Sequence, residues 1–359
     1  FKVGGELIAS DTEFAVELVE CGAANGEVGA SRFPANGGAE LEAVTAGPLR
    51  IHVVPLRANG RVPDTSDTDQ GIALLRRAFL ASYPVDDVDF TVGEPFDIAD
   101  PQDWGGNLDR IRALRQSESP DGDVYYYGML RPTETFREFC GNACTAGIGY
   151  VPQGRLNPQL RAAMGLAFGD QNAAFTMLHE VGHNHGRPHA PCVPNGLTIA
   201  DVDQQYPYEG GIVGVPGYIS ASDQLIGANE ATDVMGYCRN QWLSDYTYRN
   251  LLNTVLQVNG NAQSSEVVSP ERIGAWRVAL LDVLKGTRWG IPVPGPAEAV
   301  GVEEAAQVLD AAGAVIETVS VYRTQISELT GYSVQVPEPK PGWHAIAISG
   351  AAPLVYGTR

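Results

Sequence analysis

Long hydrophobic runs and an excess of positive charge are both missing from this sequence. No apolar stretch approaches the ~20 residues that a transmembrane helix needs, so the sequence predicts no membrane span. Lysine and arginine total 24 against 43 aspartate and glutamate residues, which gives a formal net charge of −19. A polyanion does not attract the phosphates of nucleic acids, and we therefore expect no nucleic acid partner.

Cysteine is scarce, and none of it occurs in Cys-x-x-Cys pairs. The five cysteines are Cys21, Cys140, Cys144, Cys192 and Cys238. Four of them can be paired, which fits an oxidising compartment. The sequence begins with Phe1 rather than Met, so we expect a processed or trimmed form from which any signal peptide has gone. We expect a secreted, extracellular protein, and a monomer.

Histidine is also rare, at six residues, yet four of the six lie between positions 179 and 189. This segment reads H-E-x-x-H-x-x-G-x-x-H, in which His179 and His183 are spaced to share one face of a helix. Gly186 can adopt the left-handed conformation that ends a helix, and His189 follows three residues later. Zinc binds imidazole nitrogen at ~2.0–2.1 Å, and a hydrolytic site keeps its fourth position open for water. The spacing therefore predicts one catalytic Zn²⁺ held by the three histidines.

Glu180 follows the first of these histidines and lies beside the predicted ligand face. A carboxylate there can take the proton from zinc-bound water, so Glu180 is the predicted general base. Two other interpretations stay open: a surface helix that carries histidines by chance, and a zinc site that is only structural. Structural zinc sites tend to be closed by four protein ligands, often including cysteine, whereas this motif supplies three histidines and a glutamate.

The motif resembles that of the metzincin zinc endopeptidases, whose pattern adds a methionine-containing turn, the Met-turn, downstream. Residues 233–237 read Asp-Val-Met-Gly-Tyr and are the candidate for that turn, with Met235 at its centre. Gly182 and Asn184, within HEVGHN, are similar to the adamalysin or reprolysin branch and to bacterial secreted mucin-cleaving metzincins. Tyr237 looks like the tyrosine of the astacin, serralysin and pappalysin pattern. The specific match covers about 179–237 and places the chain in the clan, but in no single family.

The resemblance implies a secreted zinc endopeptidase that hydrolyses peptide bonds of a polypeptide or glycoprotein substrate. It also implies that Tyr237 helps to hold the oxyanion and that Met235 forms an apolar floor under the zinc ligands. The alternative is a zinc-binding, adhesin-like or glycoprotein-binding module with little or no proteolysis. The intact Glu180 favours the enzyme, because a degenerate site can lose its base without losing its metal.

From position 47 the sequence follows an α/β pattern, in which predicted strands alternate with predicted helices. Such a pattern implies a mixed, mainly parallel sheet, which is also the order of elements in metzincins. The predicted strands are Leu49–Leu56, Val88–Val92, Val124–Leu130 and Ala146–Val151, and the apolar segment Ala162–Phe168 leads into the zinc helix. The predicted helices are Asp67–Ser82, Asn107–Ser117, the zinc helix with Asp170 as its N-cap, and a helix from Ser244 through Val258.

The strand at 146–151 has a functional expectation that comes from the resemblance. In metzincins the matching strand runs antiparallel at the edge of the sheet above the cleft. Its unpaired N–H and C=O groups can hold an extended peptide by the backbone. Gly147, Ile148, Gly149 and Tyr150 are therefore the predicted substrate-binding residues, and an ordinary edge strand is the simpler interpretation.

Two disulfides are expected if the Met-turn runs beneath the zinc. Cys192 lies three residues after the last zinc ligand and Cys238 three after the turn methionine, so the two would be neighbours. Cys140 and Cys144 would then pair across a short loop. Ca²⁺ has no support, because the acidic residues between the zinc motif and the turn fit no defined calcium loop. These are Asp201, Asp203 and Glu209.

The remaining parts of the chain are expected to be β-rich. Residues 1–46, with a strand-like run at 14–19, are interpreted as a β segment or a remnant pro-region that precedes the protease domain at 47–260. Cys21 in this segment is either a zinc-occupying latency residue or an unpaired or intermolecularly paired cysteine. Residues 261–272 are expected to form a linker, and 273–359 a separate β-sandwich. Its predicted strands are Trp276–Leu281, Ala306–Leu309, Val315–Tyr322, Ser333–Val336 and Trp343–Ile348.

Overall fold

The computed structural model of the chain describes residues 3–18, 31–142, 144–153, 156–194, 201–219, 222–260, 269–283, 285–328 and 331–357. The chain divides into two compact units, Phe1–Ala46 and Gly47–Arg359. Cys21 lies outside the described residues, so both of its predicted roles stay predictions. Within the described ranges, no helix combines the length and apolar character that crossing a bilayer requires.

The described residues of the first unit, 3–18 and 31–46, include four strands of two residues each. They are β1 (Glu13–Phe14), β2 (Val16–Glu17), β3 (Arg32–Phe33) and β4 (Ala39–Glu40). β1 pairs antiparallel with β4, and β2 pairs antiparallel with β3. The predicted strand at 14–19 is thus shorter than expected and is interrupted at Ala15; its last residue, Val19, lies outside the described part.

The second unit begins with six strands that form the sheet of the α/β part. They are β5 (Leu49–Arg57), β6 (Val88–Val92), β7 (Phe96–Asp97), β8 (Val124–Leu130), β9 (Gly147–Val151) and β10 (Ala162–Leu166). β5 pairs in parallel with β6, β7 and β8, and β8 pairs in parallel with β10. β9 is the antiparallel member, next to β10. The expected mixed sheet with parallel strands is therefore present.

Five helices accompany this sheet. They are α1 (Ile72–Ser82), α2 (Trp104–Glu118), α3 (Phe136–Cys140), α4 (Gln171–Asn184) and α5 (Asp245–Gly260). Alternate residues of β8 belong to different apolar clusters: Tyr125 and Tyr127 share one with Leu178 of α4, whereas Tyr126 shares the other with Leu108 of α2. Because successive side chains of a strand point to opposite faces, the sheet is covered on both sides.

Two helices begin at other residues than the sequence predicts. α1 starts at Ile72 rather than Asp67, because the Ser66 carbonyl accepts from the N–H of Ile72 at 2.8 Å and the intervening residues form turns. α2 starts before Asn107, because the Asp103 side chain accepts from the backbone of its first turn and caps it there. Both helix starts depend on hydrogen bonds at the N-terminus of the helix, which the periodicity of apolar residues does not predict.

α5 follows its predicted start closely and differs on its surface. Ser244 Oγ accepts from the N–H of Thr247 at 3.0 Å, which is the expected cap. The spacing of Tyr248, Leu251, Leu252 and Val255 predicts that these four side chains pack against the fold. Leu251 and Val255 are buried and Leu252 is half-buried, whereas Tyr248 is 43 % exposed.

Among the residues that the structure describes, four short strands lie between α4 and α5, and nine more follow α5. The short strands are β11 (Gly217–Ile219), β12 (Gln224–Ile226), β13 (Thr232–Asp233) and β14 (Gln241–Trp242). The others are β15 (Ile273–Gly274), β16 (Trp276–Asp282), β17 (Gly286–Trp289), β18 (Ala297–Glu298), β19 (Val302–Leu309), β20 (Val315–Ile326), β21 (Gly331–Pro337), β22 (Ala345–Ala347) and β23 (Leu354–Val355). Each predicted run in this region contains or lies within a strand.

The C-terminal strands join the sheet of the α/β part. β20 pairs antiparallel with β9, so that 13 strands form one sheet. β20 continues to Ile326 instead of ending at Tyr322, because its last residues pair with β21 on one side and with β9 on the other. The predicted linker at 261–272 lies mostly outside the described residues, which omit 261–268, and the separate β-sandwich stays a prediction.

Candidate metal centre and cleft

Helix α4 carries the first two histidines of the cluster. Asp170 accepts from the N–H of Ala173 at 3.0 Å and caps the helix as predicted. Gly186 has a φ of +77°, and its N–H donates to the His183 carbonyl at 2.8 Å, which turns the chain as the helix ends. The His189 N–H then donates to the backbone carbonyl of Asp201 at 3.1 Å, and the His189 carbonyl accepts from the backbone N–H of Asp203 at 2.8 Å. The turn at Gly186 thereby brings the third imidazole to the first two.

The two glycines of β9 allow α4 to pack directly on the strand. A Cβ at Gly147 would lie 2.7 Å from Glu180 Cγ, and a Cβ at Gly149 would lie 2.8 Å from the Glu180 carbonyl oxygen. Asn184 Nδ2 donates to one carbonyl of β9 at 2.9 Å and one of β10 at 3.0 Å. Gly147, Gly149 and Asn184 therefore set the distance between the Glu180 carboxylate and the strand.

The imidazoles of His179 and His183 present their Nε2 atoms to a common centre. His179 Nδ1 contacts the Val234 carbonyl at 2.7 Å, and His183 Nδ1 contacts the Arg187 carbonyl at 2.6 Å. A carbonyl oxygen can only accept, so each Nδ1 carries the proton and each Nε2 of a neutral ring has a free lone pair.

The two Nε2 atoms lie 3.0 Å apart. Tetrahedral Zn–N bonds would separate two such nitrogens by about 3.3 Å. Two lone pairs that face each other at this distance repel unless a metal ion or a proton lies between them, and the arrangement of donors fits a metal ion. Three imidazoles are a donor set that zinc binds well.

Glu328 is the fourth member of the cluster, and the sequence analysis did not find it. Its Oε1 lies 3.0 Å from His179 Nε2, 2.8 Å from His189 Nε2 and 3.8 Å from His183 Nε2. The four ligand atoms lie within 4.8 Å of one another, so the group could hold a metal ion. Glu328 is separated from His189 by 139 positions, and no local pattern marks it among 43 acidic residues.

Burial and mutual contact shift the pKa values of this cluster in opposite directions. Burial lowers the pKa of His179, but the hydrogen bond to Glu328 and the nearby carboxylates outweigh it and raise the pKa to about 9. Burial lowers the pKa of His183 to about 3. Burial opposes ionisation of Glu328, but its hydrogen bonds with the three histidines bring its pKa well below the ordinary value. Burial raises the pKa of Glu180 well above its ordinary value, against the charge of His179.

The turn at 233–237 lies against α4 and the histidines, as the resemblance implies for a Met-turn. Asp233 is fully buried, and its carboxylate accepts from Met235 N at 2.9 Å, Ser244 N at 3.0 Å and Ser244 Oγ at 2.5 Å. A Cβ at Gly182 would lie 2.6 Å from Met235 Sδ, so the methionine packs directly on α4. The structural role of Asp233 was not predicted.

Tyr237 borders the histidine cluster, which is the position expected for it. Its hydroxyl lies 3.2 Å from His189 Nε2 and donates to Glu328 Oε2. Its backbone N–H donates to the Cys192 carbonyl at 2.9 Å. The phenol therefore lies between a candidate ligand and the carboxylate that contacts all three histidines.

Two disulfides have the pairing given in the sequence analysis. Cys192 is bonded to Cys238, and Cys140 is bonded to Cys144. The first closes a loop with a sequence separation of 46 and ties the segment after His189 to the segment after the turn. It thereby fixes two elements that line the histidine cluster.

The outer edge of β9, predicted to be open at 147–150, is paired in this structure at Gly149 and Tyr150, and the roles of Gly147 and Ile148 stay predictions. Ile326 is in register with Tyr150, and Gln325 with Val151. Ser327 continues the contact: its N–H donates to the Gly149 carbonyl at 2.9 Å, and its Oγ accepts from the Gly149 N–H at 2.8 Å. The same hydroxyl donates to Glu180 Oε2 at 3.0 Å. Segment 325–328 thus contacts both the strand and the predicted base.

A polar cavity of about 500 Å³ lies beside the cluster. Its lining includes His183, His189, Asp201 and Gln325, together with residues 151–153 and 202–205. The Gln325 amide accepts from Gln153 at 2.9 Å and donates to Asp201. Asp203 accepts from the Tyr246 hydroxyl at 2.9 Å. The two acidic residues therefore have protein partners at the rim of this cavity.

Comparison with known proteins adds no further constraint on function. No protein-family model matches the chain, and no curated protein matches it. The functional conclusion therefore depends on three imidazoles that face one centre, two buried carboxylates beside them, and a phenol at their border.

Proposed function

We propose that the chain is a secreted, zinc-dependent endopeptidase with a metzincin-like catalytic part at 47–260. The observation that carries the proposal is the convergence of His179, His183 and His189 beside Glu180 and alongside β9. A metal site, a candidate base and a peptide-binding strand are thereby adjacent, and peptide hydrolysis needs all three. The two disulfides support an oxidising, extracellular location.

Each residue of the site has a defined part in this proposal. Zinc held by the three imidazoles supplies Lewis acidity, which polarises a carbonyl and lowers the pKa of water. Glu180 takes a proton from the attacking water and returns it to the leaving amine. The Tyr237 hydroxyl, which donates into the centre, stabilises the oxyanion. The Asp233 turn keeps His179 in the tautomer that binds metal, through the Val234 carbonyl.

The substrate class we propose is an extended polypeptide or glycoprotein chain. β9 already accepts an antiparallel strand along its outer edge, through residues 149–151. Main-chain hydrogen bonds of this kind hold a peptide by its backbone and place few demands on its side chains. We propose that the C-terminal part, 273–359, is an accessory β-sandwich.

One observation favours a second candidate, a zinc-binding module without proteolysis. The Glu328 carboxylate lies where the open position of a catalytic site would be, and three histidines with a carboxylate can close a structural zinc site. In that case Glu328 would be a permanent ligand, and metal affinity would fall when it is replaced. The enzyme and the module therefore differ in what Glu328 does for the metal.

Zinc content and cleavage should be measured on the wild-type chain, Glu180→Ala and His183→Ala. We expect Glu180→Ala to retain about one zinc per chain and to lose about 10²- to 10⁴-fold in hydrolysis, because it is a base and not a ligand. We expect His183→Ala to lose the metal. Mass-spectrometric profiling on a denatured proteome and on glycoproteins, with and without a chelator, identifies the cleaved bonds. The proposal is contradicted if the zinc-loaded chain cleaves neither the denatured proteome nor the glycoproteins, even when Glu328 is replaced.

A further inference from the structure

We infer that the tip segment of the β20–β21 hairpin, Gln325–Glu328, is a built-in inhibitor that keeps the proposed peptidase latent. This inference rests on the proposed function and adds its regulation. The residues of this segment contact the edge of β9, the histidine cluster, the Tyr237 hydroxyl and the Glu180 carboxylate, which are the groups that hydrolysis needs. The latency role that Cys21 could have near the N-terminus stays a prediction, whereas the blocking residues inferred here lie in the C-terminal part.

The backbone of the tip segment occupies the strand on which a substrate would bind. Ile326 pairs antiparallel with Tyr150, and Ser327 exchanges hydrogen bonds of 2.8 and 2.9 Å with Gly149. These are the N–H and C=O groups of β9 that strand addition by a substrate would use. A substrate and the tip segment therefore cannot occupy the edge of β9 together.

The side chains of the tip segment engage the catalytic groups themselves. The Ser327 hydroxyl donates to Glu180 Oε2 at 3.0 Å, so the base already accepts a hydrogen bond where water would be. Glu328 Oε1 lies 2.8 to 3.0 Å from two of the imidazoles, which is where it can act as the fourth ligand. Glu328 Oε2 accepts from the Tyr237 hydroxyl, so the oxyanion donor is occupied as well.

A purely structural metal ligand would not need these additional contacts. A fourth ligand has to reach the metal, but it need not bind the base, the phenol and the edge of β9 at the same time. Glu328 also has a φ of +62°, a left-handed conformation that non-glycine residues rarely adopt. Such residues persist where surrounding contacts hold them, and they cluster at functional sites. The combination fits a segment that mimics a bound peptide.

The tip segment is held in the cleft by the rest of the C-terminal part. Ile326 belongs to the same apolar cluster as residues of α2 and β9. Lys285 pairs with Asp100 at 2.9 Å, and the N–H of Ile291 donates to Asp109 at 2.6 Å, so the C-terminal part is also docked near α2. Activation then requires the tip segment to leave the cleft, and substrate competes with it for β9.

The test compares full-length wild type, Glu328→Gln, Glu328→Ala and the control Glu317→Gln. Glu317 lies on the same strand, β20, and forms an exposed ion pair with Lys340. It pairs with Val308 near the start of β20, whereas the tip segment lies at the other end of that strand. Two quantities are measured: the affinity of the Co²⁺-loaded chain for acetohydroxamate, from visible absorption, and the initial rate of fluorogenic peptide cleavage by the Zn²⁺-loaded chain. Metal content and melting temperature are recorded for every variant.

We expect both Glu328 variants to keep the metal, to bind acetohydroxamate about ten- to a hundredfold more tightly and to cleave faster by a similar factor. Affinity and rate change by this factor when a cleft that is open for about 1–10 % of the time becomes open all of the time. Glu317→Gln should match the wild type. Tighter acetohydroxamate binding without cleavage by any variant would support the blocked cleft and refute the peptidase.

Two results would overturn the inference. Loss of metal from the Glu328 variants, with folding intact, would make Glu328 a structural ligand. Unchanged acetohydroxamate affinity and an unchanged cleavage rate, in chains that do cleave, would leave the proposed peptidase standing and remove its inhibitor.

Discussion

Replacing the buried Asp233 should destabilise the protein more than replacing an exposed aspartate. Its carboxylate is fully buried and accepts from Met235 N, Ser244 N and Ser244 Oγ at 2.5 to 3.0 Å. Asp233→Ala leaves two backbone N–H groups buried without an acceptor, and each costs about 1–3 kcal/mol. The Ser244 hydroxyl keeps one partner, since its oxygen still accepts from Thr247.

We therefore expect Asp233→Ala to lower the free energy of unfolding by about 3–5 kcal/mol, the range seen when a buried charged network is broken. Asp233→Asn keeps one oxygen acceptor and should cost about 1–3 kcal/mol. The turn also positions the Val234 carbonyl on His179 Nδ1, so zinc affinity should fall about 10- to 100-fold in Asp233→Ala.

Urea unfolding of the zinc-loaded chain measures the first effect, and competition with a chromogenic chelator measures the second. Asp97, which is exposed and pairs with Arg57 at 3.1 Å, offers a matched control as Asp97→Ala. The reasoning would be refuted if the unfolding free energy of Asp233→Ala lay within ~0.5 kcal/mol of the wild-type value, which is the spread expected for an ordinary surface substitution.

Three further predictions concern the cleft and are best tested in the Glu328→Gln background, where the tip segment is expected to be released. Tyr237→Phe should lower kcat about ten- to a hundredfold with zinc content and melting temperature unchanged, and an unchanged kcat would reduce the phenol to a packing role. Replacing Cys192 and Cys238 together by Ser should cost about 4 kcal/mol in urea unfolding, because the bond closes a loop with a sequence separation of 46; peptide mapping that finds Cys192 as a free thiol would contradict this. Gly147→Ala should lower kcat about tenfold or more and leave zinc bound, since its Cβ would lie 2.7 Å from Glu180 Cγ and displace the base; wild-type kcat would show that the site absorbs the methyl group.

The parts of the site that the sequence predicts are those encoded locally. His179, Glu180 and His183 lie within five positions, so the helical repeat alone brings them together. Gly186 ends the helix with a positive φ, and His189 follows at a distance that one turn can bridge. Capping by Asp170 was likewise accessible, because it depends on residues next to the motif. The Cys192–Cys238 pairing was accessible only through the resemblance, which implies that the Met-turn lies beneath the histidines.

The parts that the sequence does not predict depend on contacts over long sequence distances. Glu328 reaches His179 across 149 positions, and the register that brings it there is set by β20 on β9. Gln325 in β20 and Ser327 just after it are polar yet buried. The alternation of apolar residues therefore stops before the segment that contacts the histidines. The sequence indicates Asp233 only as part of a turn, because the Ser244 groups that donate hydrogen bonds to it lie at the start of the following helix.

The most direct test of the central claim is peptide cleavage by zinc-loaded Glu328→Gln compared with zinc-loaded Glu328→Gln/Glu180→Ala. Both chains keep His179, His183 and His189 and should bind about one zinc each. The account predicts chelator-sensitive cleavage by the single variant and a loss of about 10²- to 10⁴-fold in the double variant, because only the base has been removed. Equal cleavage by the two chains, or none by the single variant with its zinc in place, would contradict it.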